Sequence, residues 1–144
     1  MNLKISLIIM SVLGLLKADL ERINLSCPLE HGVLKERKLK HPFQNIQPSK
    51  SFLFETKDIS YVYSVFSGTV TDLQIIGSEY VFFISSDTLG ASYCGDFDTS
   101  LLKIGKYYNR GEILTRMDKD KVLILHIWKG MMKLNEEIDF DCLN

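Results

Sequence analysis

From residue 51 to residue 129 the chain runs in short apolar stretches rich in Val, Ile, Tyr, Phe and Thr. Turn residues interrupt these stretches roughly every ten positions, which is the pattern of a sheet protein. Apolar positions do not recur at helical spacing here. The stretches predict strands over 52–55, 61–66, 69–75, 80–84, 91–94, 112–117 and 122–128. Ser67-Gly68, Gly77-Ser78 and the segments 87–90, 109–111 and 118–120 separate them, and connections this short favour antiparallel neighbours.

The amino terminus follows another pattern. Lys4 precedes an apolar run from Ile5 to Leu16, and Lys17, Ala18 and the charged Asp19, Glu21 and Arg22 follow it. That is the layout of a secretory signal peptide cleaved after Ala18. The run is about 12 residues long, short of the roughly 20 that cross a bilayer, so no lasting membrane span is expected. The chain therefore divides into a signal-peptide helix over 1–18, an irregular segment over 19–50 and a β domain over 51–140. The part from Pro28 to Ser51 carries Lys35, Arg37, Lys38 and Lys40, and reads as a loop-rich approach to the sheet with a solvated basic run. His31 and His41 lie there, where turn packing or solvent exposure accounts for them.

A chain of 144 residues with 46% hydrophobic residues can build one core. Its 17 basic and 18 acidic side chains nearly cancel. This balance argues against a broad electrostatic footprint for nucleic acid. Export places Cys27, Cys94 and Cys142 in an oxidising compartment. Three cysteines cannot all pair within one chain: Cys27 and Cys142 flank the domain and either staple its ends or stand as separate buried thiols. No cysteine spacing matches a zinc knuckle or a redox pair.

Three stretches, in this order, carry a family resemblance. Val62-Tyr63-Ser64-Val65-Phe66-Ser67-Gly68-Thr69-Val70 is similar to a VYAVADGTV strand–turn–strand. In it Gly68 is expected to permit a tight turn, with Val62, Ser64 and Phe66 on one face and Tyr63 and Val65 on the other. Leu101-Leu102-Lys103-Ile104-Gly105 with Asn109-Arg110-Gly111-Glu112-Ile113-Leu114 is similar to LVKVGQKVKKGQVI, its two glycines marking two bends of a strand crossover. Leu123-Ile124-Leu125-His126-Ile127-Trp128-Lys129-Gly130 with Lys133-Leu134-Asn135 is similar to LHFEIWKNGKKLNP, and Lys40-His41-Pro42-Phe43 resembles an earlier R-x-HP-F segment.

Together these resemble the lysostaphin/LytM-type zinc endopeptidases of bacterial peptidoglycan, from about Pro28 to Phe140. The resemblance implies an all-β fold, an antiparallel β-sheet sandwich of the lysostaphin/LytM peptidase type. The paired-glycine pattern is shared with biotinyl and lipoyl carrier domains, but the MKM or DKA hairpin lysine of those carriers is missing.

Active members hold zinc through the His and Asp of H-x-G-x-D and the second His of a late H-x-H. The first His of that pair and a His in Y-x-H-L assist catalysis. Three protein ligands and one open position polarise the amide and activate a water. In this sequence the early ligand pair falls on Ser49 and Leu53, the late ligand on Ile124, and the two catalytic positions on Asp96 and Val122. A two-residue shift brings Glu55 near the second place without supplying a histidine. Val122, Ile124 and Leu53 are expected to make the former metal floor apolar and let it collapse into additional core, at roughly 1.5–3 kcal/mol per side chain. His126 shares a strand face with Val122, Ile124 and Trp128, and an alignment slipped by two residues would return it as one ligand.

The resulting expectation is a secreted or periplasmic pseudoenzyme that requires no cofactor and binds peptidoglycan or regulates a cell-wall hydrolase. The residues expected to make contacts are Tyr93, Asp96, Phe97, His126 and Trp128, with Asp96, Asp98 and Glu55 around the old cleft. The alternatives are an active metalloendopeptidase with a rearranged ligand set and zinc, or a hydrolase using Asp96 and His126.

Overall fold

A computed structural model describes residues 22–37, 49–130, 132 and 134–142; the expected signal peptide lies outside them. The described chain forms β1 (Arg22–Ser26), β2 (Gly32–Arg37), β3 (Ser49–Thr56), β4 (Ser60–Tyr63), β5 (Gly68–Ile76) and β6 (Glu79–Ser85). It continues with β7 (Gly90–Gly95), β8 (Tyr107–Tyr108), β9 (Ile113–Met117), β10 (Val122–Trp128) and β11 (Glu137–Asp141). Among the described residues there is no helix.

Seven strands form one antiparallel sheet in the order β2-β3-β10-β7-β6-β5-β8. Two small sheets, β4-β9 and the parallel pair β1-β11, complete the architecture. The central strand β10 shows which face of the large sheet becomes the core. Its Leu123, Leu125 and Ile127 have no exposed surface, whereas Val122 remains 38% exposed. Burying each such aliphatic chain stabilises by roughly 1.5–3 kcal/mol, so the face with three of them turns inward. Leu123 lies opposite Phe54, and Leu125 opposite both Phe52 and Tyr93. Phe82, Ile84 and Val70 continue the buried layer.

The small sheets supply the facing layer through Val62, Leu114 and Met117 on one side and Leu25 and Ile138 on the other. Phe140 sets its ring edge-on to Phe52 at 4.8 Å and to Phe54 at 5.2 Å, which joins β11 to β3. A disulfide between Cys27 and Cys142 closes the ends of β1 and β11. Of the two readings of these cysteines, the staple is the one that forms.

Four strands fall outside the sequence expectation. The segment 19–50, expected to be irregular, contains β1 and β2. An edge strand bearing Lys35, Glu36 and Arg37 reads as a loop because edges are commonly protected by charge. The strand expected over 61–66 stops at Tyr63. Beyond it Ser64, Val65 and Phe66 are all buried, and the Ser64 hydroxyl donates to the Phe66 carbonyl at 2.6 Å, so alternation ends. Gly68 is needed for close approach and not for a turn: a Cβ there would stand 2.7 Å from the Ser85 carbonyl oxygen. Gly105 and Gly111 do mark bends, with φ of 84° and 80°.

Candidate functional site

The face of the large sheet turned away from the core holds most of the positions singled out by sequence. Residues directly opposite one another in an antiparallel sheet share a face, so the register lays out rows across β3, β10 and β7. Leu53, Ile124 and Cys94 form one row; Ser51, His126 and Ser92 form the next; Ser49, Trp128 and Gly90 form a third. Val122 and Glu55 stand opposite each other at the other end of the strands.

The middle row is buried and polar. Ser51 is inaccessible, while His126 and Ser92 are each 7% exposed. The Ser51 hydroxyl and His126 Nδ1 are hydrogen-bonded at 2.5 Å. In the third row the Trp128 indole lies over Gly90, where an added Cβ would stand 2.2 Å from the ring. Phe83 meets the same indole edge-on at 6.4 Å.

The positions expected to correspond to metal ligands converge only in part. Leu53 and Ile124 are direct partners, both half-buried. Ser49 is four residues from Leu53 along β3 and pairs with Trp128. At about 3.3 Å per residue that places it roughly 13 Å away, too far to share an ion with Leu53. The expected collapse into extra core does not occur either. Val122 is exposed, and Leu53 and Ile124 stay half-buried, because the core lies on the opposite face.

The expected contact residues do not gather into one rim. Tyr93 is fully buried on the core face, stacked on Phe82 at 4.6 Å. Its hydroxyl donates to the Tyr63 carbonyl at 2.9 Å and accepts from the Val65 amide at 2.9 Å. Burial pushes that phenol well above its ordinary pKa. Phe97 is 5% exposed and packs on Phe82 at 5.0 Å, again within the core. Both are packing residues. His126 and Trp128 remain on the outer face.

Asp96 is exposed beyond the end of β7, four positions past the His126 partner Ser92, so Asp96 and His126 are not brought together. Asp96 pairs with Lys121 at 3.1 Å. Glu55 faces Lys35 at 3.9 Å, and Asp98 faces Arg116 at 3.7 Å. The Asp98 carboxyl is held below its ordinary range by hydrogen bonds from the Ser100 hydroxyl and amide, with Arg116 adding a smaller pull. Each of these carboxylates is balanced separately, and they do not form a continuous acidic rim. His31 is exposed with its ring 3.7 Å from Glu30, while His41 lies outside the described residues. Ser51 and Ser92 were not foreseen as His126 neighbours, because the cross-strand register that joins them is not written in any local pattern.

No protein-family model and no curated protein matches the chain. Among solved structures it is similar to Helicobacter pylori Csd3, with a TM-score of 0.58 and 18% identity over 85% of this chain and 37% of that one. A second similarity, to CbpA from L. salivarius REN, has a TM-score of 0.40 and 26% identity over 45% of this chain and 46% of that one. The chain thus spans less than half the length of either protein. The likeness to Csd3 is one of fold. The fold is all-β, an antiparallel sandwich of the lysostaphin/LytM peptidase type.

A zinc ion implied by that fold type can be tested against the donors present. Zinc takes nitrogen, sulfur and carboxylate ligands. The positions that would supply them here are the aliphatic pair Leu53 and Ile124, with Ser49 distant along the strand. Among the described residues no group of three or more His, Cys, Asp and Glu side chains is arranged to hold a metal. The direct cross-strand neighbours of His126 are serines, not further imidazoles or carboxylates. The described residues at these positions do not fit the ion.

Proposed function

We propose that this chain is an exported, non-catalytic domain that keeps the peptidase-type sandwich as a platform for binding cell-wall peptidoglycan or for regulating a cell-wall hydrolase. The observation that carries the reading is the Leu53–Ile124 pair, two aliphatic side chains facing each other where the resemblance puts two metal ligands. The likeness of fold to Csd3 supports the scaffold half of the proposal. Export is supported by the Lys4 to Ala18 sequence and by the disulfide, which suits an oxidising compartment. No helix of the described residues is long and apolar enough to cross a membrane. On this reading the outer face around Trp128 and Phe83 supplies aromatic contact surface, since aromatic side chains anchor interfaces well.

The test is co-sedimentation of the purified, disulfide-bonded protein with isolated sacculi, together with pull-down of candidate wall hydrolases. Specific retention by either supports the proposal. Absence of both removes it. Chelator-sensitive cleavage of peptidoglycan by the purified protein would replace it with the metalloendopeptidase reading.

A further inference from the structure

The small-sheet layer of the sandwich contains a cleft of its own, separated from the Leu53–Ile124 row by the core. It has a volume of about 270 Å³ and is lined by Ser26, Cys27, Leu29, Glu30, Tyr63, Gly111 and Asp141. Ligand pockets for drug-sized molecules begin at about 300 Å³, so this cleft suits one extended side chain better than a large ligand.

Its walls are fixed by backbone hydrogen bonds. The Ser26 amide donates to Val65 O at 3.0 Å, Glu30 to Tyr61 O at 3.1 Å, Tyr63 to Pro28 O at 2.8 Å and Gly111 to Ser64 O at 2.8 Å. The Cys27–Cys142 bond closes the same end. A cleft held in this way needs little reordering on binding.

The lining has one apolar part and one charged part. Half-buried Tyr63 and Cys27 form the apolar part, over the fully buried Leu29. Glu30 and Asp141 are exposed, and the lining contains no lysine or arginine. Arg110, which reaches the lining residue Ser26, is already engaged: its Nε donates to Ser26 Oγ at 2.9 Å and its guanidinium donates to Asn24 O at 3.0 Å. His31 Nε2 stands 3.7 Å from Glu30 and balances it only when the imidazole is protonated. Burial first, and then the nearby Glu30 charge, raise the Tyr63 phenol above its ordinary pKa.

We infer that this cleft binds a primary ammonium group carried on an apolar stem, such as a lysine-type side chain of a peptide. The methylenes lie along Tyr63 and the Cys27 side of the cleft while the ammonium meets Glu30 and Asp141. Charge-assisted hydrogen bonds and cation–π attraction both favour that cation. An acidic ligand is repelled, and an uncharged stem of the same length forfeits the carboxylates. The inference is independent of the proposed cell-wall role, because it uses neither the outer sheet face nor its residues.

The full disulfide-bonded chain is titrated with acetyl-lysine-amide, acetyl-norleucine-amide, acetyl-glutamate-amide and pentylamine, followed by amide NMR shifts. Acetyl-lysine-amide is expected to shift Glu30, Tyr63 and Gly111 saturably and to bind at least about tenfold more tightly than the norleucine compound. Pentylamine weaker than acetyl-lysine-amide points to a peptide source, and equal binding points to a free amine. The double variant E30Q/D141N should bind at least about tenfold more weakly with an unchanged thermal midpoint. No saturable shift, equal binding of norleucine, or undiminished binding by the double variant overturns the inference. The norleucine comparison uses the natural chain, so it stands even if the variant folds poorly.

Discussion

Leu53 lies directly opposite Ile124 across β3 and β10, and each turns a half-buried aliphatic side chain to the outer face. An aliphatic chain offers nothing in exchange for the water shell of a divalent ion. The purified protein should therefore carry zinc far below one ion per chain by elemental mass spectrometry. Restoring the histidine at position 49 should not complete a site. In S49H/L53D/I124H that histidine would lie four residues along the strand from the aspartate, roughly 13 Å away at the usual rise. Calorimetric titration should therefore show no tighter zinc binding by this triple variant than by L53D/I124H, in which His126 already stands two residues along the same face from position 124. Stoichiometric zinc in the natural chain, or tighter binding by the triple variant than by the double, would contradict the geometry.

The Tyr93 hydroxyl bridges Tyr63 O and the Val65 amide inside the core. Tyr93→Phe leaves both backbone groups short of a partner, and one unsatisfied buried group costs about 1–3 kcal/mol. The urea midpoint should fall accordingly, while retention by sacculi or by a wall hydrolase should not change once the comparison is made on folded protein. Loss of retention at unchanged stability would return Tyr93 to the binding surface.

This residue also shows how far the sequence could be read. The central strands were legible because their apolar runs are bounded by turn residues, and β10 is predicted with the same bounds as it has in the structure. The face on which Tyr93 lies was not: β7 reads Gly-Ala-Ser-Tyr-Cys-Gly, small residues that tolerate either side, and only its pairing with Leu125 sends Tyr93 inward. Asp96 and Phe97 are neighbours in sequence, yet Asp96 is exposed and Phe97 is buried. Long-range pairings are equally silent. The parallel contact of β1 with β11 joins the two ends of the described chain: both strands alternate polar and apolar residues, Arg-Ile-Asn-Leu-Ser and Glu-Ile-Asp-Phe-Asp, but an alternation of five residues is short and does not name its distant partner.

The Cys27–Cys142 bond spans 115 residues. In the chain-entropy account, closing a loop of that size stabilises by about 5 kcal/mol, less whatever the native state loses elsewhere. The double variant C27S/C142S should unfold at a markedly lower urea concentration than the oxidised protein. Reduction of the natural chain should produce a similar loss. A difference below about 1 kcal/mol would show that the β1–β11 pair holds without its covalent link.

Cys94 is free and half-buried, and its Sγ lies 3.4 Å from Glu79 Oε2. Burial, followed by the hydrogen bond and charge of Glu79, pushes its thiol up from 9.0 to about 11. The thiolate is the reactive form, so alkylation should be slow near neutral pH and keep accelerating until about pH 11. Glu79→Gln should move that rise to lower pH. The sign for stability follows from the same shift. The folded thiol holds its proton more tightly than the unfolded one, so this contribution is present below about pH 9 and lost as pH rises through about 11. A reactivity midpoint at or below that of a free thiol, measured with the disulfide intact, would be inconsistent with this environment.

Gly90 lies beneath the single tryptophan of the chain, which makes the outer face accessible to a direct optical test. A Cβ at position 90 would stand 2.2 Å from both Cε2 and Nε1 of Trp128, closer than any nonbonded carbon contact allows. The indole is a rigid plate, so Gly90→Ala can be accommodated only if the ring swings away from the sheet or the strands part. Overpacking of this kind costs about 1–3 kcal/mol. The variant should show red-shifted emission and a lower urea midpoint. Gly77→Ala provides the control: position 77 has a φ of 64° but nothing within 4 Å of an added Cβ, so its effect should be backbone strain without a change in tryptophan emission. If Gly90→Ala leaves emission and stability unchanged, Trp128 does not rest on Gly90, and the aromatic surface assigned to this face loses its anchor.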